Sequence, residues 1–347
     1  MRTAPALLSA LAVAAVVVSS LAGCDPSTST SSSADCTPVY SSGAASSTVK
    51  VSGAKTVAAQ ATFPTPLIAK TPQVTQNRAG SGSRVQEGDQ VDYRYTVFDG
   101  KTGEALGSLG YDTTAAVPRV GVATTLNGKP TFSLPRALRC ATDGERLTLV
   151  TSAKDGFGAG TLSSNGIADS ATLVLVIDVV DHFPGKASGT NQLPQDGLPS
   201  VITAVDGQPG IVLQEQAVPK VLRYETVKAG SGAVVKKKDT VHIKYSGWVW
   251  PTLAGDKPLI WNEGAQDATT SGNATWSQDH AIDVTVTSTA TGGGLPPGMY
   301  EAMVGARVGS QILLVMPPKD GFPSSAAPTG VGAKDTVIMV IDVLGIS

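Results

Sequence analysis

The chain has 347 residues, of which 16% are charged, and its formal net charge is −2. Charges of both signs are scattered along it, so the sequence carries no basic footprint for nucleic acid or for an anionic surface. The length predicts two domains. Short Val- and Thr-rich runs between Gly, Pro, Asp and Asn predict mainly β structure.

The N-terminal residues have the pattern of an export signal. Arg2 precedes an apolar run over residues 6–22 that ends in small residues, as secretory signals do. The run closes with Leu-Ala-Gly-Cys at 21–24, which resembles the bacterial lipobox, where cleavage precedes a cysteine that carries lipid. We predict a signal peptide over residues 1–23 and lipid on Cys24, holding the protein at the outer face of the bacterial cytoplasmic membrane. An ordinary secretory signal cleaved nearby is the alternative.

The residues that follow are Ser-rich, and two more cysteines come after Cys24. Residues 24–46 are poor in apolar side chains, which predicts a flexible tether. Disulfides persist outside the cytoplasm, so Cys36 and Cys140 are candidates for a bridge that pins the end of the tether to the first domain. Two unbridged thiols are the alternative, because a sequence does not give the Cα separation that a bridge requires.

The rest of the chain contains an internal repeat. "AGSGSRVQEGDQVDYRYT" (79–96) aligns without a gap with "AGSGAVVKKKDTVHIKYS" (229–246), an offset of 150 residues. Lys-Asp-Gly-Phe occurs at 154–157 and at 319–322, an offset of 165, and "VIDVV" (176–180) matches "VIDVL" (340–344) at an offset of 164. Three matched blocks in one order predict a duplicated domain whose second copy carries an insertion.

The repeat sets the predicted boundaries and elements. The first domain is placed at 47–182, a linker at 183–200, the second domain at 201–347 and the insertion at 251–276. In each copy an alternating strand (90–98 and 240–250) precedes a segment that Pro begins and Gly ends, the pattern of a short helix (134–145 and 295–310). Two apolar strands with the Lys-Asp-Gly-Phe loop between them complete each copy.

In this order the blocks resemble the FKBP-type peptidyl-prolyl cis-trans isomerases, in particular extracytoplasmic bacterial ones. The resemblance covers residues 67–181 and 219–346, and "VGSQILLVMPPKDGFP" is its most specific part. It implies an α+β fold of two tandem domains, each an antiparallel half-barrel sheet wrapped around one short helix. It also implies that each Lys-Asp-Gly-Phe segment is an active-site loop, with Phe157 and Phe322 where the family has a tyrosine.

The resemblance further implies a substrate pocket in the second domain. Trp261 and Asn262 stand at the family's Phe-Asp pair, with Ile260 an alternative if the register slips, and Met299 stands at the tryptophan of the pocket floor. The full set expected in this pocket is Tyr245, Trp261, Asn262, Leu295, Pro296, Met299, Phe322 and Ile341. The pocket stays apolar but loses much of the aromatic wall that the family has.

The first domain departs further from the family. Its matching positions are Tyr95, Phe157 and Ile177, while Ala105 and Leu106 fall at the Phe-Asp pair. Phe132-Ser133 replaces the expected Gly-Trp. We therefore expect a degenerate pocket in this domain, whose apolar residues fill the core.

Prolyl isomerisation suits this composition because it breaks no covalent bond. The reaction twists an amide and needs an apolar, water-excluding pocket rather than a nucleophile, metal or cofactor. His182, His242 and His280 show no metal-ligand spacing. Two hypotheses follow. In the first, the protein is a membrane-anchored isomerase and folding helper, which acts mainly through its second domain on proline-containing segments of exported proteins. In the second, it is a non-catalytic FKBP-like protein-binding module.

Overall fold

The computed structural model describes most of the chain beyond residue 35. The described residues are 36–115, 117–123, 125–126, 129–213, 217–251, 259–261, 281–288, 294–325, 327–328 and 330–347, with backbone alone at 125–126, 129–130 and 259–261. The predicted signal peptide, Cys24 and Asn262 lie outside the described residues. Cys36–Ser347 forms one compact unit.

Strands dominate the described part of the chain, as predicted. The strands of the first half are β1 Lys50–Ser52, β2 Gln60–Thr62, β3 Gln73–Arg78, β4 Gln90–Asp99, β5 Ala105–Leu109, β6 Arg119–Gly121, β7 Thr125–Leu126, β8 Lys129–Pro130, β9 Arg146–Ser152 and β10 Thr172–Phe183. Those of the second half are β11 Thr190–Asn191, β12 Ser200–Thr203, β13 Pro209–Val212, β14 Arg223–Ala229, β15 Thr240–Val249, β16 Leu259–Trp261, β17 Ile282–Thr285, β18 Gln311–Met316 and β19 Val337–Ile346. The helices are α1 Ala44–Thr48, α2 Ser133–Leu138, α3 Ala153–Phe157 and α4 Pro297–Met303, with a 3₁₀ turn at Ser163–Asn165.

The strands form two large antiparallel sheets with matching topology. The first sheet has the order β3-β9-β10-β4-β5, with β6 also paired to β4. The second has the order β11-β14-β18-β19-β15-β16, with β17 also paired to β15. The coarse prediction of an α+β fold, antiparallel sheets with few short helices, is confirmed, while the division into two separate domains stays a prediction.

Each sheet is buried on both faces. The inner face packs on the short helix: Leu134 and Leu138 of α2 join the first inner core, and Met299 and Met303 of α4 join the second. The outer face carries a second apolar layer, which includes the segments of the β1–β2 hairpin in the first repeat and of the β12–β13 hairpin in the second. Burial on both faces explains why the central strands β10 and β19 have nearly continuous apolar sequences instead of alternating ones.

The outer layer is tied to each sheet through a buried aspartate of the repeated Val-Ile-Asp motif. Asp178 accepts two hydrogen bonds from Arg146, at 2.7 and 2.8 Å, and Arg146 also donates to the carbonyl oxygens of Gly53 and Ala54 beside the hairpin. In the second sheet Asp342 accepts from Gln311 Nε2 at 2.8 Å and from the backbone N–H of Ala187 at 2.7 Å. Arg146 lies opposite Asp178 in the strand register, and Gln311 lies opposite Asp342. The two repeats therefore hold the equivalent buried aspartate with different partners.

Residues 36–46, the last part of the predicted Ser-rich tether, pack against the first sheet. The side chain of Gln73 accepts hydrogen bonds from the N–H groups of Ala45 and Ser46, at 3.0 and 3.2 Å. The N–H of Val74 donates to the carbonyl of Ser41 at 3.0 Å. The Val74 bond satisfies one backbone N–H of edge strand β3, and the Gln73 bonds hold residues 45–46 against the same edge.

Both inner helices are shorter than the sequence pattern indicates. The helix predicted within 134–145 spans Ser133–Leu138, and the one predicted within 295–310 spans Pro297–Met303. Positive φ angles at Cys140 (70°) and Gly305 (88°) turn the chain out of each helix before the glycines at 144 and 309. No helix among the described residues is long and apolar enough to span a membrane.

The two Lys-Asp-Gly-Phe segments, expected as equivalent loops, differ in conformation. The first lies in the single-turn helix α3, in which Ser152 Oγ accepts a hydrogen bond from the N–H of Asp155 at 3.1 Å. Pro317 occupies the position of Ser152 in the second repeat and supplies no capping oxygen, so that copy forms turns. The two copies of the motif therefore differ both in the residue at the capping position and in local structure.

Candidate functional site

The second repeat brings most of its predicted pocket residues into one apolar cluster. Tyr245 on β15 lies opposite Ile341 on β19 in the strand register, and Ile341 in turn lies opposite Ile312 on β18. Leu295 and Met299 belong to the same buried cluster, and Phe322 packs against it from the loop that follows β18. Buried Pro296 precedes α4. Residues from two strands, a helix and a loop thus meet in one apolar cluster.

A glycine and a backbone hydrogen bond hold the loop of Phe322 against α4. The N–H of Gly298 donates to the carbonyl of Asp320 at 2.8 Å. A Cβ atom on Gly298 would lie 2.7 Å from Met316 Cγ and 2.8 Å from Leu222 Cδ1. Because real side chains do not approach so closely, a larger residue at 298 would require Met316 and Leu222 to shift.

The cluster is closed in this structure. Tyr245, Leu295, Met299 and Ile341 are 5%, 7%, 4% and 0% exposed, and Phe322 is partly exposed. The backbone of Trp261 is placed on β16, where it lies opposite Gly247, and Ile260 lies opposite Trp248. The side chains of β16 lie outside the described part of the chain, as does Asn262.

The first repeat assembles an equivalent but differently filled cluster. Ile177 lies opposite Tyr95 in the register of β10 and β4, and the Tyr95 ring lies 6.2 Å from that of Phe157 and 6.1 Å from that of Tyr93. Burial raises the pKa of Tyr93 to about 12 and also raises the pKa of Tyr95. The neighbouring Tyr95 hydroxyl adds to the shift of Tyr93. These phenols stay neutral at physiological pH and act as apolar walls.

One sequence assignment in the first repeat differs from the structure. Phe132, placed at the pocket position with Ser133, is 53% exposed, whereas Leu134 is 6% exposed and belongs to the inner core. Ser133-Leu134 therefore corresponds to Gly298-Met299. The offset of 165 residues between the Lys-Asp-Gly-Phe copies also aligns Leu134 with Met299, and this was the sequence signal for Leu134.

Ser133 changes how α2 meets the sheet. Its hydroxyl shares a hydrogen bond of 2.9 Å with that of Thr151, at the positions where the second repeat has Gly298 and Met316. Ala105 and Leu106, placed at the Phe-Asp pair, lie on the exposed strand β5 and are not part of the cluster. The first repeat therefore has a polar bridge and fewer apolar walls at its predicted pocket.

A cavity of about 650 Å³ lies beside the first repeat's helix. Tyr40, Phe132, Arg136 and Lys154 line it, and neither Tyr95, Phe157 nor Ile177 does so. The guanidinium of Arg136 lies 5.0 Å from the ring centre of Tyr40. Cys36 and Cys140 form a disulfide with a Cα separation of 5.6 Å, which fixes the segment that carries Tyr40.

The two sheets meet at a stack of charged and aromatic groups that the sequence analysis did not identify. The ring of Phe183 lies 4.2 Å from that of His242 and 4.6 Å from the guanidinium carbon of Arg119. Asp283 accepts a hydrogen bond from His242 Nδ1 at 2.6 Å and one from Arg119 at 2.5 Å. Burial alone would raise the pKa of Asp283, but these two hydrogen bonds and charges lower it to about 2.

The fold and the clusters define a mainly β protein of the α+β class with a duplicated apolar site. Neither the models of known protein families nor the curated proteins match the sequence. The chain is similar to the solved structure of the three FKBP domains of wheat FKBP73, with 13% identity over 80% of this chain and 94% of that one, at a TM-score of 0.29.

Two further solved structures are similar. One is FkpA from Escherichia coli, with 22% identity, a TM-score of 0.27 and a match over 44% of this chain and 53% of FkpA. The other is the N-terminal domain of FKBP42 from Arabidopsis thaliana, with 13% identity, a TM-score of 0.27 and a match over 33% and 87%. All three TM-scores are below 0.5, so the fold of the chain rests on its own sheets and helices.

Proposed function

We propose that the protein is an extracytoplasmic FKBP-type peptidyl-prolyl cis-trans isomerase and folding helper, and that its activity resides mainly in the second repeat. The observation that carries the proposal is the convergence of Tyr245, Leu295, Met299, Ile341 and Phe322 in one apolar cluster between sheet, helix and loop. The resemblance in sequence order, from the Ala-Gly-Ser-Gly block to Lys-Asp-Gly-Phe, supports the same assignment.

Prolyl isomerisation requires an apolar, water-excluding pocket, and this cluster supplies apolar side chains. Rotation about a peptide bond crosses a barrier of about 18–20 kcal/mol, because the amide loses resonance as it twists. The twisted amide has a less polar C–N bond, so an apolar, dry environment favours it over the planar ground state. Met299 on the helix and Ile341 on the sheet would hold the proline ring, while Phe322 on the adjoining loop would cover it.

The direct test is the cis-to-trans rate of a short proline peptide in the presence of the full-length protein. We expect a rate above the spontaneous one and proportional to protein concentration. Addition of a large excess of a second proline peptide should reduce the measured rate by competition. A rate equal to the spontaneous one at every protein concentration contradicts the enzymatic proposal.

A second function, non-catalytic binding of unfolded or partner proteins, is favoured by the closure of the cluster. Tyr245, Leu295, Met299 and Ile341 are each at most 7% exposed, which leaves little room for a proline ring without movement of the loops. Suppression of aggregation of an unfolded protein without any isomerase rate would support binding alone. Suppression together with a rate supports the folding helper.

The proposed location is the outer face of the cytoplasmic membrane, through lipid on Cys24. Two acyl chains suffice for stable anchoring where one does not, and the lipobox-like sequence at 21–24 would direct that modification. Cys24→Ser should leave an unprocessed precursor or release the protein from the membrane fraction. Mature Cys24→Ser protein that still fractionates with membranes would contradict the anchor. Proline-containing segments of exported proteins are the proposed clients.

A further inference from the structure

Strand β5 forms an open edge of the first sheet. It pairs on one side with β4, where Leu109 lies opposite Tyr95 and Ser108 lies opposite Thr96. All five residues of β5 are exposed, and Leu106 and Leu109 each remain 43% exposed. A Cβ atom built on Gly107 meets nothing within 4 Å, so the space around the middle of the strand is open.

Two other edges of the large sheets are covered in the described part of the chain. Residues 41–46 hydrogen-bond to the residues of β3 at the opposite edge of the first sheet. In the second sheet β11 pairs with β14 at the corresponding edge. Within the described part of the chain, no backbone group hydrogen-bonds to the outer side of β5.

The sequence of β5 lacks the usual protection of an open edge. Natural edge strands carry charged residues, prolines or bulges that prevent pairing with other chains. β5 reads Ala-Leu-Gly-Ser-Leu and contains neither a charge nor a proline. Its one protective feature is a register shift at Leu106, which leaves Gly107–Leu109 in regular pairing with β4. The outer side of this stretch presents free N–H and C=O groups between two exposed leucines.

We propose that β5 binds an extended, apolar segment of a non-native protein, which adds as a further strand to the first sheet. The proposal rests on the proposed function as a folding helper and assigns client capture to the repeat whose pocket is degenerate. Backbone groups at strand spacing select an extended polypeptide, because only such a chain repeats complementary donors and acceptors at the same interval. Leu106 and Leu109 select apolar side chains in that segment.

A second copy of this chain is a less suitable occupant of the edge. A five-residue strand spans about 17 Å. Stable protein interfaces bury about 800 Å² on each partner, far more than one short strand supplies. The edge therefore suits weak and reversible contact with a flexible segment, which is the requirement for holding and releasing a folding client.

The test uses the full-length protein and a labelled ten-residue peptide that alternates valine and threonine and contains no proline. Binding is measured by fluorescence anisotropy. The matched probe is the same peptide with N-methyl groups on alternate residues. The methyl groups remove the N–H donors along one edge of the peptide and leave its side chains unchanged. Loss of a few backbone hydrogen bonds should weaken binding about tenfold or more. Equal binding of the two peptides overturns the proposal.

Two variants locate the binding site. Leu106→Lys combined with Leu109→Lys places charges on the edge and should weaken binding of the unmethylated peptide about tenfold or more. Ile202→Lys, at a side chain that is 60% exposed on β12, is the matched control and should bind as the wild type does. An unchanged affinity in the double variant, or an equal loss in the control, overturns the proposal.

Amide hydrogen exchange tests the same site on the unaltered protein. Peptide binding should slow exchange in Ala105–Leu109, and unchanged exchange there at saturation contradicts strand addition. Concentration-dependent dimerisation that the double variant abolishes would assign the edge to a second copy instead. Since the peptide has no proline, its binding tests strand addition at β5, whereas the isomerase rate tests the proposed catalytic function. Either result can be negative without the other.

Discussion

The two repeats share a backbone plan and differ at matched buried positions. Where the first repeat has Arg146 beside Asp178, the second has Gln311 beside Asp342. Where the first has the polar pair Ser133 and Thr151 between helix and sheet, the second has Gly298 and Met316 in direct apolar contact. The first repeat thus holds its layers together with polar bonds, while the second keeps the space between helix and sheet apolar.

This difference indicates that the first repeat contributes mainly stability and the second repeat the apolar site. The hydroxyl pair places polar groups between helix and sheet, where a proline ring would need an apolar wall. The ion pair lies on the outer face of the sheet and fixes the hairpin there. The second repeat has Gly298 and Met316 in place of the hydroxyl pair, and a neutral glutamine in place of the arginine. Burial raises the pKa of Asp342 despite hydrogen bonds from Ala187 and Gln311. We infer that the first repeat serves mainly as a rigid support and that the second retains the apolar site. The predictions that follow separate these roles.

The largest expected effect comes from the disulfide, for which the described part of the second repeat has no counterpart. Cys36 and Cys140 are separated by 104 residues, and closing a loop of that length stabilises the folded state by about 4–5 kcal/mol in the chain-entropy model. The double variant Cys36→Ala, Cys140→Ala should lower the free energy of unfolding by up to that amount, measured by urea denaturation.

The control for the disulfide is the wild type in reducing buffer, which should lose the same stability. The isomerase rate should be unchanged in the double variant at temperatures where it stays folded. A free energy of unfolding equal to that of the oxidised wild type would contradict the assigned role.

Removal of Arg146 should have the next largest effect. Arg146 and Asp178 have side chains only 6% and 1% exposed, and loss of one partner of a buried pair costs about 3–5 kcal/mol. Arg146→Ala should show that loss in denaturant unfolding. Arg146→Gln reproduces the glutamine of the second repeat and should lose less, because an amide can still donate to Asp178. An equal loss of stability in Arg146→Ala and Arg146→Gln would show that a glutamine at position 146 does not stabilise the buried Asp178.

A smaller effect concerns acid stability at the contact between the sheets. The pKa of Asp283 is lowered from 3.8 to about 2, since hydrogen bonds from His242 and Arg119 outweigh the opposing effect of burial. A carboxyl whose pKa falls on folding adds stability above about pH 3.8, and this stability is lost as the pH falls towards 2. Asp283→Asn should lower the Tm above pH 4 and bring it to the wild-type value near pH 2.

Asp196→Asn serves as the control for this pH dependence, because Asp196 is exposed in the segment between β11 and β12. Its Tm should follow the wild-type curve across the same pH range. A constant difference in Tm between Asp283→Asn and the wild type from pH 2 to pH 6 would show that the carboxylate acts through packing rather than through its charge.

Much of the architecture could be predicted from the sequence because the repeat supplies its own alignment. The two copies of Lys-Asp-Gly-Phe and of the Val-Ile-Asp motif located the strands β9, β10, β18 and β19. Their apolar runs also fit a sheet covered on both faces. The extent of α2 and α4 was overestimated. The positive φ that follows α2 falls on Cys140, which no sequence pattern marks, whereas the one that follows α4 falls on Gly305, an earlier glycine than the one taken as the end of that segment.

The candidate site was less accessible to prediction. The 165-residue offset of the Lys-Asp-Gly-Phe segments aligns Leu134 with Met299. The sequence prediction instead placed Phe132-Ser133 at the Gly-Trp pair, one residue too early. The stack of Arg119, Phe183 and His242 joins residues from distant strands, so no local spacing signals it. The roles of Trp261 and Asn262 depend on the inserted segment, for which the first repeat offers no template.

The central claim is that catalysis belongs to the second repeat, and the most direct measurement compares two matched phenylalanines. Phe322 and Phe157 end the two Lys-Asp-Gly-Phe segments and each packs, partly buried, against the inner core of its repeat. Phe322→Ala should lower the prolyl isomerase rate of the full-length protein about tenfold or more, because loss of a wall admits water to the twisted amide. Phe157→Ala should leave the rate within about twofold of the wild type. Both variants must retain cooperative unfolding, since truncation of a buried aromatic costs about 3–5 kcal/mol. A rate lost in Phe157→Ala and kept in Phe322→Ala would contradict the account.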